Sequence, residues 1–141
     1  MRAARFFCAL FVGLLLSLNL QSLAQDRNAE AAQKAAESWL GLVDAGKYAD
    51  SYTTAGVVFR AALSEEKWVE AVQSVRGPLG RLEARTLKNA TYTKTLPGVP
   101  DGEYEVLTFE ARYEHKETAT ETVTAMLEKD GAWRVVGYYI K

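Results

Sequence analysis

A carboxylate and a phenol held together in an apolar site can move a proton, and this chain offers such a pair. Glu121 alternates with Val123, Ala125 and Leu127, which places it on the apolar face of a strand. Tyr139 takes the matching place in the last segment, and Tyr113 closes an earlier one. Burial raises a carboxyl pKa and makes the group a candidate acid or base. The plainer reading leaves Glu121 at an open strand end, solvated or paired with Arg112 or Lys116, because acidic side chains are seldom buried without a partner. Tyr52 and Trp39 complete the set of pocket candidates. Tyr48, Tyr92, Tyr104 and Trp68 could line the same pocket, although aromatics at regular spacing more often build a core. No residue is assigned a catalytic role.

Other chemistries lack their parts. His115 is the single histidine and falls in a loop; without cysteine partners it cannot build the usual zinc site, so no metal is expected. No phosphate loop, nucleophile elbow, metalloprotease helix or paired-cysteine motif is present, and no cofactor is expected. Arg60 and Arg76 flank a helix and could attract an anion, but read as surface residues. Asn89-Ala90-Thr91 matches a glycosylation acceptor and reads as coincidence.

The first 24 residues read as a cleavable signal peptide. Arg2 and Arg5 precede an apolar run from Phe6 to Leu18, and Ser22-Leu23-Ala24 places small residues before a cut at Gln25. The run is too short for a spanning helix, which needs roughly 20 residues, so no membrane span is expected after cleavage. Cys8 is the only cysteine, and its neighbours Arg5, Phe6 and Phe7 do not suit lipid attachment. Removing 24 residues from 141 leaves 117, expected to form one domain over 25–141 in the periplasm or outside the cell. Loss of Arg2 and Arg5 turns 17 basic and 18 acidic residues into 15 and 18, a net −3. That balance gives no electrostatic reason to bind nucleic acid or anionic lipid.

The positioning elements follow from periodicity. A first helix, capped at Asp26 or Asn28, carries an apolar stripe through Ala32, Ala35, Ala36, Trp39, Leu40 and Val43, and stops at Gly46. A short helix spans Tyr48 to Thr54, and Gly56 to Leu63 is ambiguous. Ser64 caps a third helix with Trp68, Val69, Val72 and Val75 buried, ended by Gly77-Pro78. Four strands follow. Leu82 and Ala84 alternate with charge in the first. Glu103 to Glu114 faces Leu107, Phe109, Ala111 and Tyr113 one way. Thr118 to Glu128 is the third, after a loop at 115–117, and Trp133 to Ile140 is the last.

A three-residue loop, Lys129 to Gly131, pairs Leu127 with Trp133 and Ala125 with Val135 and keeps one face apolar. That register puts Glu121 and Tyr139 on the inner face. It leaves Thr120, Thr122, Thr124, Met126, Val136, Tyr138 and Ile140 outside. Helices followed by strands indicate an α+β fold: N-terminal helices packed on one face of a curved four-stranded antiparallel sheet.

Three segments, FRAALSEEKWVEAVQSVRGPLG (59–80), PDGEYEVLTFEARY (100–113) and ETVTAMLEKDGAWRVVGYYIK (121–141), resemble a family of small exported bacterial proteins, domain-of-unknown-function family 4019. The resemblance runs over residues 34 to 141 and implies no activity. The DG-W-aromatic ending is also similar to nuclear transport factor 2-like, cystatin-like cones, some of which enclose a ligand chamber. The resemblance implies a fold and leaves chemistry unassigned.

The reading is a non-enzymatic exported module that binds a small molecule or a protein partner. Two alternatives stand beside it. One is a cone enzyme with isomerase-like acid–base chemistry from a carboxylate, Glu121 or Asp50, and a tyrosine. The other is a structural homodimer through the outer sheet face, whose apolar residues among threonines would suit self-association.

Overall fold

The computed structural model describes residues 10–141, with side chains from Leu20 onward. Arg2, Arg5 and Cys8 of the expected leader lie outside the described residues. Helix α1 (Leu10–Asp44) runs unbroken through the expected cleavage point, so the cap expected at Asp26 or Asn28 is not used. The sequence has no proline or glycine between Leu14 and Leu40, and it is rich in Leu, Ala, Gln and Glu, all strong helix formers. Residues 20–27 are exposed, and close packing begins at Ala32 and continues through Ala36, Trp39, Leu40 and Val43. Among the described residues, no helix is long and apolar enough to cross a membrane. The helix ends where expected: Gly46 has φ 73°, Lys47 N–H donates to Leu42 O, and Gly46 N–H donates to Val43 O. That double closure satisfies carbonyls the helix end would otherwise leave bare.

Helix α2 is Tyr48–Thr54 as expected, and the ambiguous stretch forms a further short helix, α3 (Val57–Ala62). Helix α4 is Glu65–Arg76, capped by the Ser64 hydroxyl, which accepts from Lys67 N–H at 3.3 Å. Its buried stripe is Trp68, Val72 and Arg76, while Val75 is exposed. Steps of four keep these three on one side of the helix. The expected surface position of Arg76 is therefore corrected.

Strands β1 (Leu82–Thr93), β2 (Tyr104–Tyr113), β3 (Lys116–Leu127) and β4 (Trp133–Ile140) form one antiparallel sheet in sequence order. The helices lie on one face of this curved, open sheet, so the fold is α+β. The third strand begins two residues earlier than expected, because the turn needs only Glu114 and His115. The Leu127–Trp133 and Ala125–Val135 pairs form as expected, with Gly131 at φ 84° in the loop.

Four register breaks interrupt the sheet, one of them between Ala111 and Tyr113, and those in β1 and β4 change which side chains face inward. In β1 the register breaks around Glu83 and again around Lys88. The first break turns Arg85 to the inner face opposite Ala111 and moves Ala84 to the outer face. Both breaks put a charged residue on an edge strand, a device that discourages strand addition. In β4 the register breaks at Val136, after which Val123 pairs with Tyr138 and Glu121 with Ile140. The main core joins Trp39, Phe59 and Trp68, with Tyr138 packed against them at ring centroid distances of 5.4 Å from Trp39 and 6.2 Å from Trp68.

Candidate functional site

The bulge at Val136 decides the site. One extra residue reverses the alternation downstream of it. Tyr138 therefore faces inward and Tyr139 is 62% exposed on the outer face, which corrects the inward placement of Tyr139. Val136 and Ile140 also leave the outer face: Val136 packs against the main core, and Ile140 packs against Ala111, Tyr113 and Ala119.

Glu121 is fully buried, and no water-sized space touches it. One carboxylate oxygen accepts from Arg85 Nε at 2.8 Å, and the other accepts from the Tyr138 hydroxyl at 2.5 Å. Arg112 pairs instead with Glu83 on the outer face. Arg85 carries the network onward, donating to both oxygens of Asp44 at 2.6 and 2.9 Å. Arg76 donates to Asp44 at 2.6 Å, and its guanidinium carbon stands 4.9 Å from the centre of the Tyr113 ring. Arg76 Nε and Nη1 have no hydrogen-bond partner among the described residues. The electron-rich face of Tyr113 is the group that compensates this cation.

This network ties α1 through Asp44, α4 through Arg76, and all four strands through Arg85, Tyr113, Glu121 and Tyr138. Its two carboxylates and two guanidiniums balance in charge. Arg76 also closes the C-terminal turn of α4, where a cation suits the helix dipole. Asp44 stands at the corresponding end of α1, where an anion does not, and the two arginines offset that.

Titration follows the geometry. Burial raises the Asp44 pKa, but the hydrogen bonds and charges of Arg85 and then Arg76 outweigh burial and hold it below its ordinary value. Burial and the neighbouring Glu121 carboxylate push Tyr113 up to about 12 and raise Tyr138 strongly. The phenols therefore stay protonated at neutral pH, and both oxygens of the Glu121 carboxylate are occupied. The arrangement holds elements together, and Glu121 is sealed from solvent within it.

A depressed carboxyl pKa gives stability that is present above the unfolded value and lost as pH falls through the folded one. The urea midpoint should accordingly hold from pH 7 to 5 and fall below about pH 4. Asp44→Asn should remove most of that slope when urea unfolding is followed by tryptophan fluorescence. Asp130, held low by Arg134, contributes in the same direction.

Glu105 is a second buried carboxylate on the inner face, 1% exposed, with no side-chain partner among the described residues. Desolvation raises its pKa, so its pH dependence opposes that of Asp44.

The other pocket candidates are core pins. Trp39 donates to Ser51 O at 2.8 Å, and Trp68 donates to the Ser51 hydroxyl at 2.9 Å. The Tyr52 hydroxyl donates to Leu63 O at 2.9 Å and to Arg60 O at 3.1 Å, holding α2 to the turn before α4. His115 is exposed in its turn. Among the described residues, no three His, Cys, Asp or Glu side chains gather to hold a metal. Of the five pocket candidates, only Glu121 and Tyr113 share the network. Asp44, Arg76, Arg85 and Tyr138 complete it, and sequence reasoning missed them. No local signal marks Arg85, because simple alternation groups it with Glu83, Leu87 and Asn89.

Space for a ligand lies elsewhere. An open groove of about 730 Å³ runs between α3 and the β3–β4 hairpin. Val57, Val58, Met126 and Leu127 supply apolar wall, and Arg60, Glu128, Lys129, Asp130 and Arg134 supply charge. Its two acids are already engaged. Glu128 accepts from Val57 N–H at 3.0 Å and from Arg134 at 2.9 Å, and Asp130 accepts from Arg134 and from Ala132 N–H. Arg60 and Lys129 have no ion-pair partner among the described residues.

Residues 35–138 match the model of a family described as a protein of unknown function (DUF4019). The match begins three residues after Ala32, where α1 starts to pack, and contains every member of the buried network. No curated protein matches the chain.

Proposed function

The chain belongs to the DUF4019 family, and from that premise we propose that it is an exported, non-catalytic module that binds a small amphiphilic acid in the groove between α3 and the β3–β4 hairpin. The observation that carries this reading is the contrast between the two regions. Glu121 is sealed and doubly bonded inside, whereas the groove is ligand-sized and open, with apolar walls and two cations that have no ion-pair partner among the described residues. Small-molecule sites commonly span 300–1,000 Å³, mostly apolar with a few placed polar groups. An anion at Arg60 and Lys129 would meet no free carboxylate, because Arg134 holds Glu128 and Asp130.

Export is supported by Arg2 and Arg5 ahead of the apolar run and by the small residues before Gln25. The exposure of Leu20 and Leu23, upstream of the packed part of α1, agrees with it. We read the curved sheet and its helices as a nuclear transport factor 2-like cone with a filled interior. Trp39, Phe59, Trp68 and Tyr138 occupy the place a chamber would need. The isomerase-like alternative loses Glu121 as a free acid, and its other carboxylate, Asp50, is exposed on α2; the homodimer alternative loses Val136, Tyr138 and Ile140 from its interface.

The test uses dodecanoate as the probe, titrated into the protein recovered after export. Tryptophan and methyl NMR signals are followed, and the retained mass is read by native mass spectrometry. Saturable shifts at Val57 and Val58, lost in Arg60→Glu/Lys129→Glu, are expected. Shifts spread over the outer sheet face, or none at millimolar dodecanoate, would sink the assignment.

A further inference from the structure

The chemistry of Gln25 has a consequence that rests on the export reading. We infer that the exported protein carries a pyroglutamate at position 25. Cleavage after Ala24 makes Gln25 the first residue and frees its α-amino group. An α-amino group has a pKa of about 7.7–8.0, so a useful fraction is an unprotonated nucleophile near neutral pH. It attacks the side-chain amide carbon of the same residue. A bond forms between the α-nitrogen and Cδ, the Cδ–Nε2 bond breaks, and ammonia leaves, closing a five-membered lactam. The step needs no oxidant, reductant or metal.

The surroundings favour it. Residues 20–27 are exposed, and the first tightly packed residue is Ala32, two helical turns further on. Nothing in the packed domain holds the Gln25 side chain away from its own amine. Electrostatics also favour the product. Once cut, α1 starts at or next to Gln25, and a free ammonium there opposes the positive end of the helix dipole. The lactam removes that charge. Asp26 then becomes the first charge of the helix, of the sign that end prefers, with Arg27 beside it and Glu30 one turn on. The modified terminus has no primary amine, so enzymes that grip a free amine find none.

The experiment is an intact-mass measurement on the full chain, produced with its own leader and recovered from the envelope, followed by sequencing of the N-terminal peptide. A chain starting at residue 25 and about 17 Da light, the mass of ammonia, is expected. Gln25→Ala should give a chain of full calculated mass with a labelable amine. A chain starting at Gln25 with full mass after prolonged incubation at neutral pH overturns the inference and leaves the export reading standing. A chain that keeps its leader, or starts elsewhere, overturns the export reading and the inference with it.

Discussion

Arg85→Met should destabilise the fold by about 3–5 kcal/mol at neutral pH, the usual consequence of removing one partner from a buried ion pair. Among the described residues Arg85 is the only cation on Glu121, and it shares Asp44 with Arg76. Without it, a fully buried carboxylate keeps one hydrogen bond, from Tyr138, and no neutralising charge. The loss reads directly from the urea midpoint if the slope of the transition is unchanged. A loss below about 1 kcal/mol would mean the network behaves as a surface ion pair. Arg85→Met/Glu121→Leu should recover much of the loss, because apolar groups of similar volume often replace a buried pair at little net cost. Failure of that recovery would show that Asp44 depends on Arg85 more than Glu121 does. The pair of variants thus separates a network that specifies geometry from one that supplies stability.

Trp39→Ala should cost a similar amount, about 3–5 kcal/mol. Trp39 is 3% exposed and its ring meets Trp68 at 5.5 Å, Tyr138 at 5.4 Å and Phe59 at 6.3 Å. Truncation removes that contact, leaves a cavity between helices and sheet, and, among the described residues, leaves the Ser51 carbonyl with only the long 3.4 Å bond from the Thr54 hydroxyl. Trp39→Phe keeps most of the packing and should lose about 1 kcal/mol for the hydrogen bond. Thermal unfolding of the two variants beside the parent protein reads both numbers. Equal losses would place the contribution of Trp39 in its hydrogen bond and not in filling the interior. The Trp39→Ala cavity is also where a small apolar molecule such as benzene should bind, as it does in dry engineered cavities elsewhere. The parent protein, with that space filled, should not bind it.

Both variants act on positions that differ in how legible they were. Trp39 belongs to a stripe at three- and four-residue spacing, and that stripe reads off the sequence because helix geometry repeats. The end of α1 at Gly46 and the Ser64 cap are equally local, since one residue type satisfies one set of backbone groups. The Leu127–Trp133 pairing was also legible, because only one loop length keeps the hairpin face apolar. Alternation correctly put Glu121 inside, but it could not name a partner. Arg85 lies 36 residues away and faces Glu121 only because β1 bulges at Glu83.

The same limit explains the exchange of Tyr138 for Tyr139. A bulge inserts one residue and inverts every inward and outward assignment after it. The bulge has one local mark, Gly137, since a glycine inside a strand often accompanies a bulge, but that glycine does not fix where the extra residue goes. Its cause is tertiary: Gly56 N–H donates to Val135 O at 2.8 Å, and Val136 turns toward the same glycine, where a Cβ would come within 2.7 Å of it. Two consecutive valines therefore both pack toward the helices. Arg76 is a related case. Helical period allows either Val75 or Arg76 on the buried side of α4, and hydropathy favours the valine. Asp44 and the Tyr113 ring reverse that choice by giving the cation partners.

By itself the sequence determined the α+β order, the antiparallel meander, the helix ends and the apolar stripes, all of which depend on neighbours within a few residues. It also placed one acid on the inner face. The tertiary structure decided what that acid does, because its charge is neutralised from a different strand and its phenol partner is selected by a bulge. Pairing of buried charges is a long-range property, and a one-residue change of register is enough to decide it.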